Sequence, residues 1–312
     1  MIIAINTDRK YNSERPYKNS WSFTSMASLL MFLIFSTTIS ADTISQVMDS
    51  KLVGLADYRP GDADKPALLI LHGFLQTHNF GIIKSLTDEL ADNGYTVLAP
   101  TLTLGIDKRA RSFTCDMIQS HKFDDQYAEL DSWINWLKNN GHSEIILIGH
   151  STGGLGVLAY SALRNTLSVS IMGLIVINPT ILVTKSERDK INKNLVVARE
   201  LLAKNKNELG EFTLAYCVDN YISSPGSYIS YASITENDLF SYFSNANHPV
   251  INIVASDDKL IPENMGNKLR KKGGNVIDID GANHFFTNGH EFELFDAVNK
   301  AILILNKKQS DV

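Results

Sequence analysis

The segment ILIGHSTGGLGVLAY, residues 146–160, sets a serine between two glycines in the order Gly149, His150, Ser151, Thr152, Gly153. A serine hydroxyl is a weak nucleophile. It becomes a useful one when a neighbouring base takes its proton and an acid orients that base. The pattern Gly-x-Ser-x-Gly is not specific by itself. With each residue type at about 7 % of positions, a chain of this length carries it by chance roughly one time in ten. The flanks add weight: 145–148 reads as a buried strand and 155–163 as a helix, so Ser151 falls in a sharp strand-to-helix turn. There Gly149 and Gly153 let strand and helix approach closely. The helix N-terminus adds a dipole that favours a developing anion. His150, inside the motif, reads as packing beside the turn rather than as the base.

Two later segments can supply the missing partners. VASDDKLIP (254–262) and DIDGANHFF (278–286) each begin in a predicted strand and run on into a loop. Both loops therefore lie at the carboxyl edge of a sheet, where open α/β folds place their sites. His284 is the candidate base, and Asp257 or Asp258 the candidate acid. His121 lies in another loop that follows a strand, and it is a candidate for contact with substrate. In that same loop Lys108, Arg109 and Arg111 read as solvated surface charge rather than as an anion site. The remaining histidines, His78, His142, His248 and His290, are scattered without ligand spacing, and no metal or cofactor is called for.

The elements that must hold these residues follow a regular rhythm from about residue 42. Apolar strand-like runs occur at PALLILHG, YTVLAP, SEIILIG, IMGLIVIN, HPVINIVAS and GNVIDID. GIIKSLTDELADNG and FDDQYAELDSWINWLKNNG carry helical spacing between them, and a last helix covers about 291–305. Alternating strand and helix predicts an α/β fold: a mostly parallel central sheet with helices on both faces. From Pro179 to His248 no strong strand signal is seen. This interval reads as a helical cap insertion, about 180–247, within an α/β domain of 42–312. Its aromatics Phe212, Tyr216, Tyr221, Tyr228, Tyr231, Tyr242 and Phe243 either line an apolar acyl pocket or pack cap against core.

The first 41 residues differ. Arg9, Lys10, Arg15 and Lys18 precede an apolar core, 29–35, too short to span a bilayer as a helix, and small residues follow near Ser40 and Ala41. This reads as a signal peptide, with an uncleaved N-terminal membrane anchor as the alternative, and it implies a periplasmic or secreted protein. In that setting Cys115 and Cys217 either form a disulfide or stand as two separate buried thiols. A net charge of −5 without a basic block argues against nucleic acid as a partner.

Taken together, GHSTGG, LHGF (71–74), SDDKLIP (256–262) and GANHFF (281–286) resemble the α/β-hydrolase fold superfamily, of the serine-hydrolase type with a helical cap. The order Ser151, Asp, His284 is the chain order of that superfamily's triads. The resemblance covers about 53–305. It implies Asp258 as the acid, because it stands four residues before Pro262. It also implies an oxyanion hole from the backbone amides of Phe74 and Thr152. Ala255, where such enzymes often carry glycine, is a mild departure. The expected activity is hydrolysis of a carboxylic ester, or a related small acyl compound, through an acyl-enzyme. Acyl transfer or peptide hydrolysis with the same triad are the alternatives, and a non-catalytic binding protein is the more distant one. Serine at the elbow, rather than aspartate, argues against dehalogenase or epoxide hydrolase chemistry.

Overall fold

A computed structural model describes residues 42–164, 170–206 and 208–310, with no account of the side chains of Ser170 and 308–310. The predicted signal peptide lies outside the described residues. The rest forms one eight-stranded sheet and a smaller hairpin, with helices around them. In chain order the elements are β1 (Asp42–Val47), β2 (Val53–Arg59), β3 (Ala67–Leu71), α1 (Gly81–Asp92), β4 (Val97–Thr101), α2 (Asp125–Asn139), β5 (Glu144–His150), α3 (Thr152–Leu163) and β6 (Ser170–Ile177). Then come α4 (Arg188–Ala203), β7 (Gly210–Leu214), β8 (Cys217–Ser223), α5 (Pro225–Ala232), α6 (Glu236–Asn245), β9 (Val250–Ala255), α7 (Met265–Lys271), β10 (Asn275–Ile279) and α8 (His290–Ser310).

The sheet order is β1-β2-β4-β3-β5-β6-β9-β10. Strands β3 to β6, β9 and β10 run parallel, while β2 is antiparallel to both β1 and β4. The period of two along each strand sorts side chains between two cores. Leu69, Leu71, Ile145 and Leu147 face the side covered by α2, α3 and the cap. Leu68, Ile70, Ile146 and Ile148 face the side covered by α1 and α8. A continuous apolar run is what a strand buried on both faces must carry.

The two N-terminal strands escaped the sequence reading. DTISQV in β1 lies at the sheet edge with an exposed outer face. VGLADYR in β2 carries Asp57 and Arg59, which pair with each other at 2.8 Å. Neither has the buried apolar run that marks the inner strands. The short α7 was also missed.

The cap corrects the prediction in a second way. Helices α4, α5 and α6 lie between β6 and β9, and β7 and β8 form an antiparallel hairpin among them where no strand was predicted. Leu214 pairs with Cys217 across a two-residue loop in which Ala215 adopts φ +52°. Such loops usually advertise themselves with Asn-Gly or Asp-Gly; Ala-Tyr gives no such signal. The alternation is also broken, since Asp219 is exposed on the face that buries Cys217, Tyr221 and Ser223.

Cys115 and Cys217 form a disulfide that ties β8 to the long loop after β4. The loop also pairs with the hairpin through its backbone: Gln119 N donates to Ile222 O at 2.8 Å, and Ser224 N donates to Gln119 O at 3.0 Å. The bridge spans 102 positions in sequence, and closing so long a loop removes much entropy from the unfolded chain. Cys115→Ser/Cys217→Ser is therefore expected to lower unfolding free energy by about 2–5 kcal/mol. Urea denaturation of the oxidised protein against the double variant measures this.

Candidate functional site

Ser151 sits between β5 and α3 with φ 58° and ψ −126°. A non-glycine residue accepts that backbone only where its surroundings enforce it. Here Ser151 N donates to Ile177 O at 2.9 Å and its carbonyl accepts from Thr180 N at 3.3 Å. The flanking glycines are needed for space. A Cβ on Gly149 would collide with the Gly153 carbonyl, and one on Gly153 with the carbonyls of Leu71 and His72.

The loops after β9 and β10 bring the other two candidates to this turn. Ser151 Oγ lies 2.9 Å from His284 Nε2, and His284 Nδ1 lies 2.6 Å from Asp258 Oδ2. With Nδ1–H donating to the carboxylate, Nε2 is left as the acceptor for the serine proton. The other Asp258 oxygen accepts from Leu260 N at 2.7 Å. The Asp258 side chain is fully buried, whereas that of Asp257 is 61 % exposed and pairs with Lys259. The structure thus brings Ser151, His284 and Asp258 together and leaves Asp257 outside.

His150 stands beside the line. Its Nε2–H donates to the His284 backbone carbonyl at 2.8 Å, which is also approached by Asn178 Nδ2 at 3.5 Å. Asn178 Oδ1 in turn accepts from Ala255 N at 2.8 Å. These bonds hold the loop backbones that carry His284 and Asp258. Burial, and then the neighbouring His284, push the His150 pKa down to about 3, so it stays neutral.

Phe74 and Thr152 line a common cavity. As the first residue of α3, Thr152 has an N–H with no intrahelical partner. Phe74 belongs to a turn that is held from several sides. Gly73 N donates to Gln76 Oε1 at 3.1 Å, and His72 Nδ1–H donates to Gly73 O at 2.8 Å. His72 Nε2 accepts from Leu102 N at 3.1 Å and from the Arg109 guanidinium at 3.2 Å. Burial first, and then Arg109, drives the His72 pKa down to about 3.

Arg109 overturns its reading as solvated charge. It is 3 % exposed. Its Nε donates to Leu102 O at 2.6 Å and its Nη2 to Gln76 O at 2.7 Å, while its guanidinium lies 4.9 Å from the Phe113 ring centroid. Burial lowers its pKa to about 10, which leaves it charged at neutral pH. Lys108 and Arg111 are exposed, as expected.

His121 is placed differently from its candidate role. It is buried and absent from the cavity wall; its Nδ1 lies 2.7 Å from the Tyr231 hydroxyl, and Tyr231 does line the cavity. Burial lowers its pKa to about 4. The cap aromatics divide. Tyr221 and Tyr231 reach the cavity. Phe212 and Tyr228 stack on each other at 4.3 Å as packing, and Tyr216 is exposed with its ring against Phe74. Gln76, Arg109, Gln119 and Gln126 were not singled out as functional in the sequence, where no local motif marks a glutamine or arginine as buried.

A mostly parallel sheet that brings Ser151, His284 and Asp258 together at one edge is the arrangement of an α/β-hydrolase, and the chain is an enzyme of that class. More narrowly, residues 62–249 match the model of the hydrolase family described as serine aminopeptidase, S33, and the chain belongs to that family. No curated protein matches the chain. Solved structures share the fold at low identity. Est1E from Butyrivibrio proteoclasticus is 17 % identical, with TM-score 0.60, covering 86 % of this chain and 100 % of its own. The α/β hydrolase GrgF from Penicillium sp. sh18 is 15 % identical, with TM-score 0.64, covering 86 % and 98 %. The Pyrococcus furiosus esterase Pf2001 is 14 % identical, with TM-score 0.56, covering 84 % and 89 %.

Proposed function

We propose that this chain hydrolyses a carboxylic ester through an acyl-enzyme on Ser151. The observation that carries this reading is the unbroken line from Ser151 Oγ to His284 Nε2, 2.9 Å, and from His284 Nδ1 to Asp258, 2.6 Å. His284 takes the hydroxyl proton as Oγ attacks the carbonyl carbon. Asp258 keeps the proton on Nδ1 and offsets the positive charge that the ring acquires. The amides of Phe74 and Thr152 receive the oxyanion. Collapse of the tetrahedral adduct expels the alcohol, which takes its proton from His284. Water, deprotonated by the same ring, then releases the acid and restores Ser151.

A fluorophosphonate probe tests the nucleophile. Wild-type protein is expected to become labelled at Ser151 and Ser151→Ala to stay unlabelled; an unlabelled wild type ends this reading. A peptide bond is the second reading, favoured by the family's description as serine aminopeptidases. Faster turnover of aminoacyl amides than of esters would select it.

We also propose that residues 1–41 are removed on export. The basic segment before a short apolar core supports this, and so does the Cys115–Cys217 bridge, since disulfides persist in oxidising compartments. The mature protein is expected to begin near Asp42, and mass spectrometry finding an intact Met1 would refute cleavage.

A further inference from the structure

The cavity beside Phe74 and Thr152 is small and its wall is unusually polar for a site that would hold a fatty chain. Its volume is about 30 Å3. Gln119 and Gln126 line it, each only 3 % exposed. Each uses one of its two amide N–H groups on a backbone carbonyl: Gln119 Nε2 donates to Met117 O at 3.1 Å, and Gln126 Nε2 to Phe123 O at 2.6 Å. Among the described residues no hydrogen bond is donated to either Oε1, and that of Gln126 lies beside Gly156 of α3. Tyr221 and Tyr231 line the same wall. Tyr231 is fixed by its bond to His121.

Buried acceptors in a cavity call for a donor. No carboxylate, lysine or arginine lines the wall. An ammonium there would lack a counter-ion and a carboxylate would lack a cation, so a charged occupant is disfavoured. A neutral hydroxyl can donate to the amide oxygen of one glutamine and accept from the second amide N–H of the other. A hydrocarbon chain would leave these groups unpaired and would overfill the space.

We propose that the acyl group accepted by this site is short and hydroxylated, of the glycolyl type, with its CH2OH filling the cavity and its hydroxyl bonded to Gln119 and Gln126. The inference rests on the esterase reading above. Phenyl glycolate and phenyl propionate test it, because they differ only by hydroxyl against methyl. The kcat/KM of each is divided by its hydroxide hydrolysis rate, which removes the intrinsic activation by oxygen. The normalised ratio of glycolate to propionate is expected to be at least about tenfold, the size of one good hydrogen bond. Phenyl octanoate is expected to fall at least about 100-fold below propionate, since it cannot enter without displacing the wall. In Gln119→Leu/Gln126→Leu the normalised ratio is expected to collapse towards one. A wild-type ratio below tenfold, or octanoate turned over as well as propionate, overturns the proposal, and so does a ratio unchanged in the variant. Fluorophosphonate labelling of Ser151 is run on the same protein. Labelling with the wrong ratio refutes only the acyl-group inference, whereas absence of labelling refutes the esterase reading beneath it.

Discussion

Asp258→Asn is expected to lower kcat by about 10^4-fold, with KM little changed, whereas Asp257→Asn keeps activity within about twofold. The two carboxyls are adjacent in sequence and opposite in environment. Asp258 is sealed from solvent, with one oxygen on His284 Nδ1 and the other on the Leu260 amide. An asparagine there keeps the shape but turns an amide N–H towards Nδ1. The ring must then carry its proton on Nε2, where it points at Ser151 and cannot accept the hydroxyl proton. The imidazolium formed during attack also loses its counter-charge. Asp257, by contrast, is an exposed partner of Lys259, and such a surface pair contributes at most about 1 kcal/mol. Steady-state kinetics on a short phenyl ester measures both variants. Near-native thermal melting of Asp258→Asn would show that the loss is chemical. Equal losses in the two variants would remove Asp258 from the acid role.

Much of the geometry behind that prediction was legible in the sequence because it is written in local, strongly patterned signals. Buried strands such as ALLIL and EIILIG must be apolar on both faces, and Ser151 and Asp258 each follow such a strand, while His284 follows the half-buried edge strand β10. Their meeting at one sheet edge then follows from parallel strand direction. What stayed hidden has a common cause: its stability is non-local. Strands β1 and β2 gain burial mainly through their neighbours, so their own residues show little pattern. The β7–β8 hairpin turns on Ala215 in a left-handed conformation, held by Leu182 O accepting from Ala215 N at 2.9 Å and by the Cys115 bridge. His121 sits in a loop that follows a strand, but whether it faces the cavity or the tyrosine beside it depends on α5, more than a hundred residues later. Gln119 and Gln126 are unremarkable letters until the fold buries them.

Arg109 is the furthest-reaching case of this kind, and the second large effect is expected there. Arg109→Lys should lower kcat by about 10^2-fold, approaching the cost of losing an oxyanion donor, with KM changed by less than about threefold. The guanidinium joins three strands of chain at once: Leu102 O after β4, Gln76 O beyond the turn, and His72 Nε2 at its start. Phe74, whose amide is assigned to the oxyanion, lies between His72 and Gln76. A planar fork can satisfy these acceptors together, and its stacking on Phe113 fixes its plane. A lysine ammonium has one nitrogen and a different reach, so at least one buried carbonyl is left unpaired. The turn then loses the restraint that aims the Phe74 amide. An amide displaced by about 1 Å still permits substrate to bind but no longer meets the oxyanion at about 3 Å, so transition-state stabilisation is lost and ground-state binding is kept. Lys108→Ala and Arg111→Ala, in the exposed part of the same loop, should remain within about twofold of wild type. If Arg109→Lys retains wild-type kcat, or if its loss is carried by KM alone, the guanidinium does not position the oxyanion turn. Partial recovery of kcat in Arg109→Ala on adding guanidinium ion would show that the missing group, rather than a general loosening of the fold, sets the rate.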